Sequence, residues 1–143
     1  MGRIFPLAGL LRLRRLQEEE AASQLAAANS RVRDNLVVQA RARRTLEGVT
    51  SEPTDIATMR SIAAARASSS AMLADLRAVA VQHRHTAGEA ESGYHAARSK
   101  TAGIEKLDGR HTAATEADDL RVEQNALDEI ASMARERRSR GTA

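Results

Sequence analysis

The chain contains no cysteine and no tryptophan, only two prolines, and a single phenylalanine and tyrosine among its 143 residues. Without cysteine there is no disulfide, no cysteine-based zinc site and no thiol catalysis, which fits a reducing compartment. The prolines are Pro6 and Pro53. Proline inside a helix removes a hydrogen bond and clashes with the preceding turn. Residues 7–52 and 54–143 therefore run free of the strongest helix breaker. Aromatic rings bury the most area per side chain, and here there are only Phe5 and Tyr94, too few for an ordinary compact core. Long apolar runs are missing as well. Residues 7–11 are followed by Arg12, Arg14 and Arg15, whereas a bilayer span takes about 20 apolar residues. The same stretch makes a poor signal peptide, with its apolar part too short and its charge on the wrong side. Pro6 stands where a myristoylation site requires Ser or Thr. The expectation is a cytoplasmic protein without direct membrane insertion, able to be peripheral to a membrane through a partner.

What remains is Ala, Leu, Arg and Glu, the best helix formers. Hydrophobic residues make up 42% of the chain, but much of that is alanine, and charged residues make up 29%. Such a composition with helical periodicity is that of a coiled coil. The net charge of +3 permits acidic partners without requiring nucleic acid. The expected fold is all-α: one domain over residues 1–143, a long antiparallel two-helix coiled-coil hairpin whose second helix is longer and overhangs. Helix 1 is expected over about residues 6–48, a turn over 49–54, and helix 2 over about 55–138.

The first helix should start near Pro6, which suits a first helical turn. Its seam reads Ile4, Leu11, Glu18, Leu25, Val32, Gln39, Leu46, with the companion row Leu7, Arg14, Ala21, Ala28, Asn35, Ala42, Val49. Only Glu18, Arg14, Asn35 and Gln39 are not apolar, and polar seam residues can fix register. Gly48 and the run from Thr50 through Ser51 to Asp55 carry helix-stop, turn and N-cap chemistry. The second seam reads Met59, Ile62, Leu73, Leu76, Ala80, His83, Ala87, Ala90, Tyr94, Ala97 and Ile104, interrupted by Arg66 and Ser69. Beyond Leu107 the apolar phase slips to Ala113, Ala117, Leu120, Gln124, Leu127, Ala131 and Ala134, and a slip relaxes a supercoil locally. Gly88, Gly93, Gly103 and Gly109 cluster there, each costing roughly 1 kcal/mol in a helix interior. A break at this point, giving three helices, is the rival architecture. At 1.5 Å per residue the helices measure roughly 65 Å and 120 Å. With the turn near residue 52, a residue faces about 104 minus its own number, and nothing faces the chain beyond about 104. The apolar stripe Leu120, Leu127, Ile130, Ala134 in that stretch should fold back or bind a partner.

Two constellations invite a functional reading. Met72, Leu76, Val79 and His83 share one stripe beside the seam, which widens the apolar face near the turn into a broad core stripe or a docking patch. The arginine clusters at residues 41–44 and 135–140 sit at predicted helix C-termini, where the helix dipole favours cations. No aromatic rings accompany them for stacking on bases, so no nucleic-acid partner is expected. His83, His85, His95 and His111 lack the spacing of a zinc site on one helix face. The phosphate-binding and nucleophile-elbow glycine motifs are absent. No metal, cofactor or catalytic residue is expected, and the protein is read as no enzyme.

The N-terminal run from Phe5 through Pro6, the leucines to Arg15-Leu16-Gln17-Glu18 and on to Ala22 resembles the opening of the flagellar export protein FliJ family, and Leu127-Asp128-Glu129-Ile130-Ala131 resembles that family's closing segment. The order of a first helix, a polar turn and a longer second helix extends the resemblance over nearly the whole chain. It implies a soluble component of the flagellar type III export apparatus, folded like the stalk of rotary ATPases. That role supports flagellum assembly, motility and chemotaxis. The implied partners are the export ATPase ring, the membrane export gate and export chaperones, at the cytoplasmic face of the membrane. Met72, Leu76, Val79, Gln82, His83 and Arg84 look like the family's gate-contacting stretch. Val38, Ala42 and Thr45 stand where its first helix carries aromatics. Leu120, Leu127, Ile130 and Ala134 are expected to form the ATPase-binding tail. A stalk of a non-flagellar secretion system, a generic coiled-coil scaffold and a nucleic-acid-associated protein remain as alternatives.

Overall fold

A computed structural model describes residues 3–49 and 52–141. Two helices, α1 (Ala8–Glu47) and α2 (Ile56–Arg140), are the regular elements among them. The fold is all-α and antiparallel, with the second helix the longer. Helix α1 starts two residues after Pro6, with the Ala8 N–H donating to the Phe5 carbonyl (3.1 Å) and Leu11 N–H to Leu7 (2.8 Å). It closes where the Gly48 N–H donates to the Arg44 carbonyl (2.9 Å), with Arg44 in the last turn, where a cation meets the negative end of the dipole. Asp55 caps α2. Its Oδ1 accepts the Thr58 N–H at 2.7 Å, satisfying a donor that the first helical turn otherwise leaves unpaired. Of the predicted turn residues, Thr50 and Ser51 lie outside the described residues. Helix α2 runs through Gly88, Gly93, Gly103 and Gly109 without interruption, so the three-helix alternative is overturned.

By contact the chain forms two compact units, one of Leu16–Arg98 and the other of the residues up to Arg15 with those from Ser99 on. In the Leu16–Arg98 unit the predicted α1 seam holds: Glu18, Ala21, Leu25, Ala28, Val32, Asn35, Gln39, Ala42, Leu46 and Val49 are all shielded. The α2 side is Thr58, Ile62, Ser69, Leu73, Leu76, Ala80, His83, Ala87, Ala90, Tyr94 and Ala97. Met59, expected inside, is 59% exposed, and its neighbour Thr58 takes the inner place. Ser69, read as an interruption, lies in the seam. Alanine is the commonest residue on both sides, and small side chains allow close helix approach. At the middle the seam turns polar. The Asn35 amide donates to the Leu76 carbonyl (3.2 Å) and accepts from the Gln39 amide, and both side chains are buried. Arg66, the other interruption, points elsewhere: its Nη2 and Nε donate to the Val49 carbonyl at 2.9 and 3.3 Å.

That last contact corrects the expected pairing. The chain leaving α1 lies level with Arg66, about three turns into α2 at 3.6 residues per turn. Val49 therefore lies beside the third turn of α2, which does not fit a pairing centred on residue 52. Opposed residues shift accordingly, and Glu18 meets Arg98 with Nη1 to Oε1 at 2.9 Å.

In the other unit the same shift lets the N-terminal segment cover residues that the sequence left unfaced. The Thr101 hydroxyl, the most buried side chain, donates to the Arg14 carbonyl at 3.2 Å. Arg15 pairs with Glu105 (3.3 Å) and Arg3 with Asp118 (3.7 Å), while the Phe5 ring packs on His111 with centroids 5.5 Å apart. No phase slip occurs: Thr101, Ile104, Asp108, His111, Thr115 and Asp118 continue the heptad, and Ala113, Ala117 and Leu120 are exposed. Hydrophobicity misplaced the stripe because most of the shielded positions here are polar. Ile4 (86% exposed) and Leu7 (37%) do not join the seam. They precede the helix, so its periodicity does not govern them, and Phe5 and Ala8 face inward instead.

Two outcomes follow from this packing. Asn35→Ala leaves the buried Gln39 amide without its acceptor, and urea unfolding should show a loss of about 1–3 kcal/mol; adding Gln39→Leu should recover much of it. The hydrogen bonds from the Thr58 side chain and then its backbone N–H hold the Asp55 carboxyl below the usual range. A depressed folded-state pKa contributes stability that is present above the unfolded pKa and lost as pH falls through the folded one. Thermal unfolding should therefore place wild type above Asp55→Ala at neutral pH, with the gap closing on acidification through the aspartate range.

Candidate interaction surfaces

The four residues of the predicted patch lie along one face of α2, and the structure divides them. Leu76 and His83 are half-buried in the seam, and Met72 and Val79 stand outside it at 59% and 44% exposure. Each of the outer pair directly precedes a buried seam residue, Leu73 and Ala80. On α1, Val38 holds the equivalent place before buried Gln39 and is itself exposed. In an antiparallel pair these flanking positions lie along the same side of the seam. Ala42, read beside Val38, is buried, and the Thr45 hydroxyl donates to the Arg41 carbonyl at 3.1 Å.

Around this point α1 inverts the usual coiled-coil polarity. Asn35 and Gln39 are inside, while Leu36, Val37 and Val38 between them are exposed. The inversion was overlooked in the sequence, although the unbroken apolar run between two polar seam positions carries the signal. Val38 lies on the same side of the seam as Met72 and Val79, and exposed apolar residues with no role in pairing the two helices mark interaction sites.

The tail residues form a second surface. Every described residue from 119 to 141 is exposed. Leu120, Leu127 and Ile130 are more than 60% exposed, and Ala134 is open as well. Spacings of seven, three and four put these four on one helix face. Met133 and Val122, the latter not singled out by its sequence pattern, are exposed too. The last turn carries Arg137, Arg138 and Arg140. Of the histidines outside the seam, His85 lies 3.7 Å from Glu89 and His95 3.7 Å from Glu91, each an exposed pair one turn apart. A shallow recess of about 450 Å³ between the helices is lined by Leu25, Asn29, Val32, Arg84, Ala87, Gly88 and Glu91.

Comparison with known proteins gives a family match. The model described as the flagellar FliJ protein covers residues 3–140. No curated protein and no solved structure matches the chain.

The division of the patch sets a measurable contrast. Met72→Ser with Val79→Ser removes side chains from the exposed flank and should change unfolding free energy by no more than about 0.5 kcal/mol per site. Leu73→Ala, at a buried seam position, should cost about 2–5 kcal/mol. Circular dichroism in urea checks both.

Proposed function

The chain belongs to the flagellar FliJ family, a non-catalytic coiled-coil family of flagellar protein export, and on that premise we propose that it links the export ATPase ring to the membrane export gate as a non-enzymatic stalk. The observation that carries this reading is the tail. From residue 119 to 141 no described side chain is shielded, yet Leu120, Leu127, Ile130 and Met133 are there. An isolated helix with large exposed apolar residues gains little by itself in water. A partner that surrounds it converts this exposure into binding, at roughly 1.5–3 kcal/mol for each large side chain fully buried. A ring with a central opening has that geometry. The second surface, Met72 and Val79 with Leu76 and His83 at its seam edge, is the proposed contact for the gate, and export chaperones are proposed as further partners. The protein would act in the cytoplasm at the inner face of the membrane and support flagellum assembly and motility.

The test is ATP turnover by the purified export ATPase with wild-type protein or with Leu120→Asp combined with Leu127→Asp. The substituted protein should lose stimulation of turnover. In a parallel binding assay it should keep its affinity for the gate's cytoplasmic domain, which Met72→Ser with Val79→Ser should weaken. Equal stimulation by both proteins would leave the tail without its proposed role, and unchanged gate binding by the patch variant would do the same for the patch.

A further inference from the structure

The N-terminal segment carries exposed basic and apolar residues that the proposed tail and patch contacts do not use. Arg3, Arg12, Arg14 and Arg15 lie among the first fifteen residues, and the first acidic residue is Glu18. The apolar residues of the same stretch are not consumed by the fold. Phe5, Ala8 and Leu11 face inward, whereas Ile4 is 86%, Leu7 37% and Leu13 48% exposed, and Leu10 is half-buried. Leu13 follows Leu11 by two positions, on the outer side of α1, where a coiled coil ordinarily carries a polar residue. Arg12 is exposed beside it. Arg3 and Arg15 hold Asp118 and Glu105 while their own side chains remain 76% and 57% exposed.

We propose that this segment lies on the surface of an anionic lipid bilayer, with Ile4, Leu7, Leu10 and Leu13 entering the headgroup–acyl boundary and Arg3, Arg12 and Arg15 among the lipid phosphates. Arginine without intervening acid, next to leucines on an exposed helix start, is the pattern of interfacial segments. The charge complements anionic lipid, each arginine adding attraction close to the surface. Arginine stems bury their methylenes while the guanidinium stays with the headgroups. A bilayer suits these residues better than a protein does. They are flexible aliphatic side chains on a convex surface, and the ring that could anchor a protein interface, Phe5, is already packed on His111. No helix among the described residues is long and apolar enough to cross a membrane, so the segment lies on the bilayer and does not span it.

Co-sedimentation with vesicles tests this, using phosphatidylglycerol mixed with phosphatidylethanolamine against vesicles of phosphatidylcholine alone. The full-length protein should sediment with the anionic vesicles and not with the neutral ones, and salt should weaken the binding. Arg3→Gln with Arg12→Gln should lower the partition coefficient about 30-fold, from two arginine contributions near the surface. Leu7→Ser with Leu13→Ser should lower it at least tenfold, with the circular-dichroism signal unchanged in both variants. Absence of sedimentation with anionic vesicles overturns the proposal. So does binding that both variants retain, which would place the contact elsewhere, for instance at the arginines of the last α2 turn. Concentration-dependent dimerisation that Leu13→Ser abolishes, without vesicle binding, would assign the surface to a second copy of the chain and also overturn it.

Discussion

The structure depends on a narrow heptad seam that contains very little bulk. Its buried apolar members are Leu11, Ala28, Ala42, Leu73 and Ala80, and three of these five are alanines. A seam of small side chains gives close packing but little buried area, so each large residue in it matters and polar contacts take a larger share of specificity. Asn35, Gln39 and Thr101 are buried in the same seam, and each is hydrogen-bonded across it or to a buried neighbour. No buried side-chain nitrogen or oxygen among the described residues lacks a partner. Hydrogen bonds contribute modestly when made and cost more when one partner is lost. They therefore favour the register in which these polar groups meet their partners.

The same economy explains why so much apolar surface is left outside. A two-helix pair has one inward stripe per helix, and any leucine off that stripe faces water. Leu36, Val37 and Val38 lie outside because Asn35 and Gln39 hold the inner positions. Leu120 to Met133 lie outside because the N-terminal segment covers α2 only as far as Asp118. Apolar side chains that a fold cannot use are a liability for a solitary protein. In a protein of flagellar export they are available for assembly.

Ion pairs decorate the seam without carrying it. Arg98 with Glu18 is the closest, and Glu18 is largely shielded there; Arg15–Glu105 and Arg3–Asp118 are exposed at both ends. Exposed pairs are worth little in stability and are screened by salt. Their value lies in alignment: they sit where the N-terminal segment meets polar α2 positions, and the seam there offers few apolar contacts to set the register.

The sequence alone determined that the chain is helical, where its helices fall to within a few residues, and which α1 residues from Leu11 onward face the partner helix. Proline placement and heptad period are local properties, legible without the partner helix. It also determined which apolar residues share the Met72 and Leu120 stripes, since that is fixed by helical spacing. The tertiary structure decided the rest. Which member of a stripe is covered depends on the opposing residue, so Met72 and Val79 separate from Leu76 and His83 only once the helices are paired. The offset of that pairing shows in contacts between residues far apart in sequence, Arg66 on the Val49 carbonyl and Arg98 on Glu18, which no period encodes. The continuation of the seam through Thr101, Asp108, His111 and Asp118 was illegible for a related reason. A polar side chain becomes an inner residue through the partner that hydrogen-bonds or packs on it, and hydrophobicity records only the side chain.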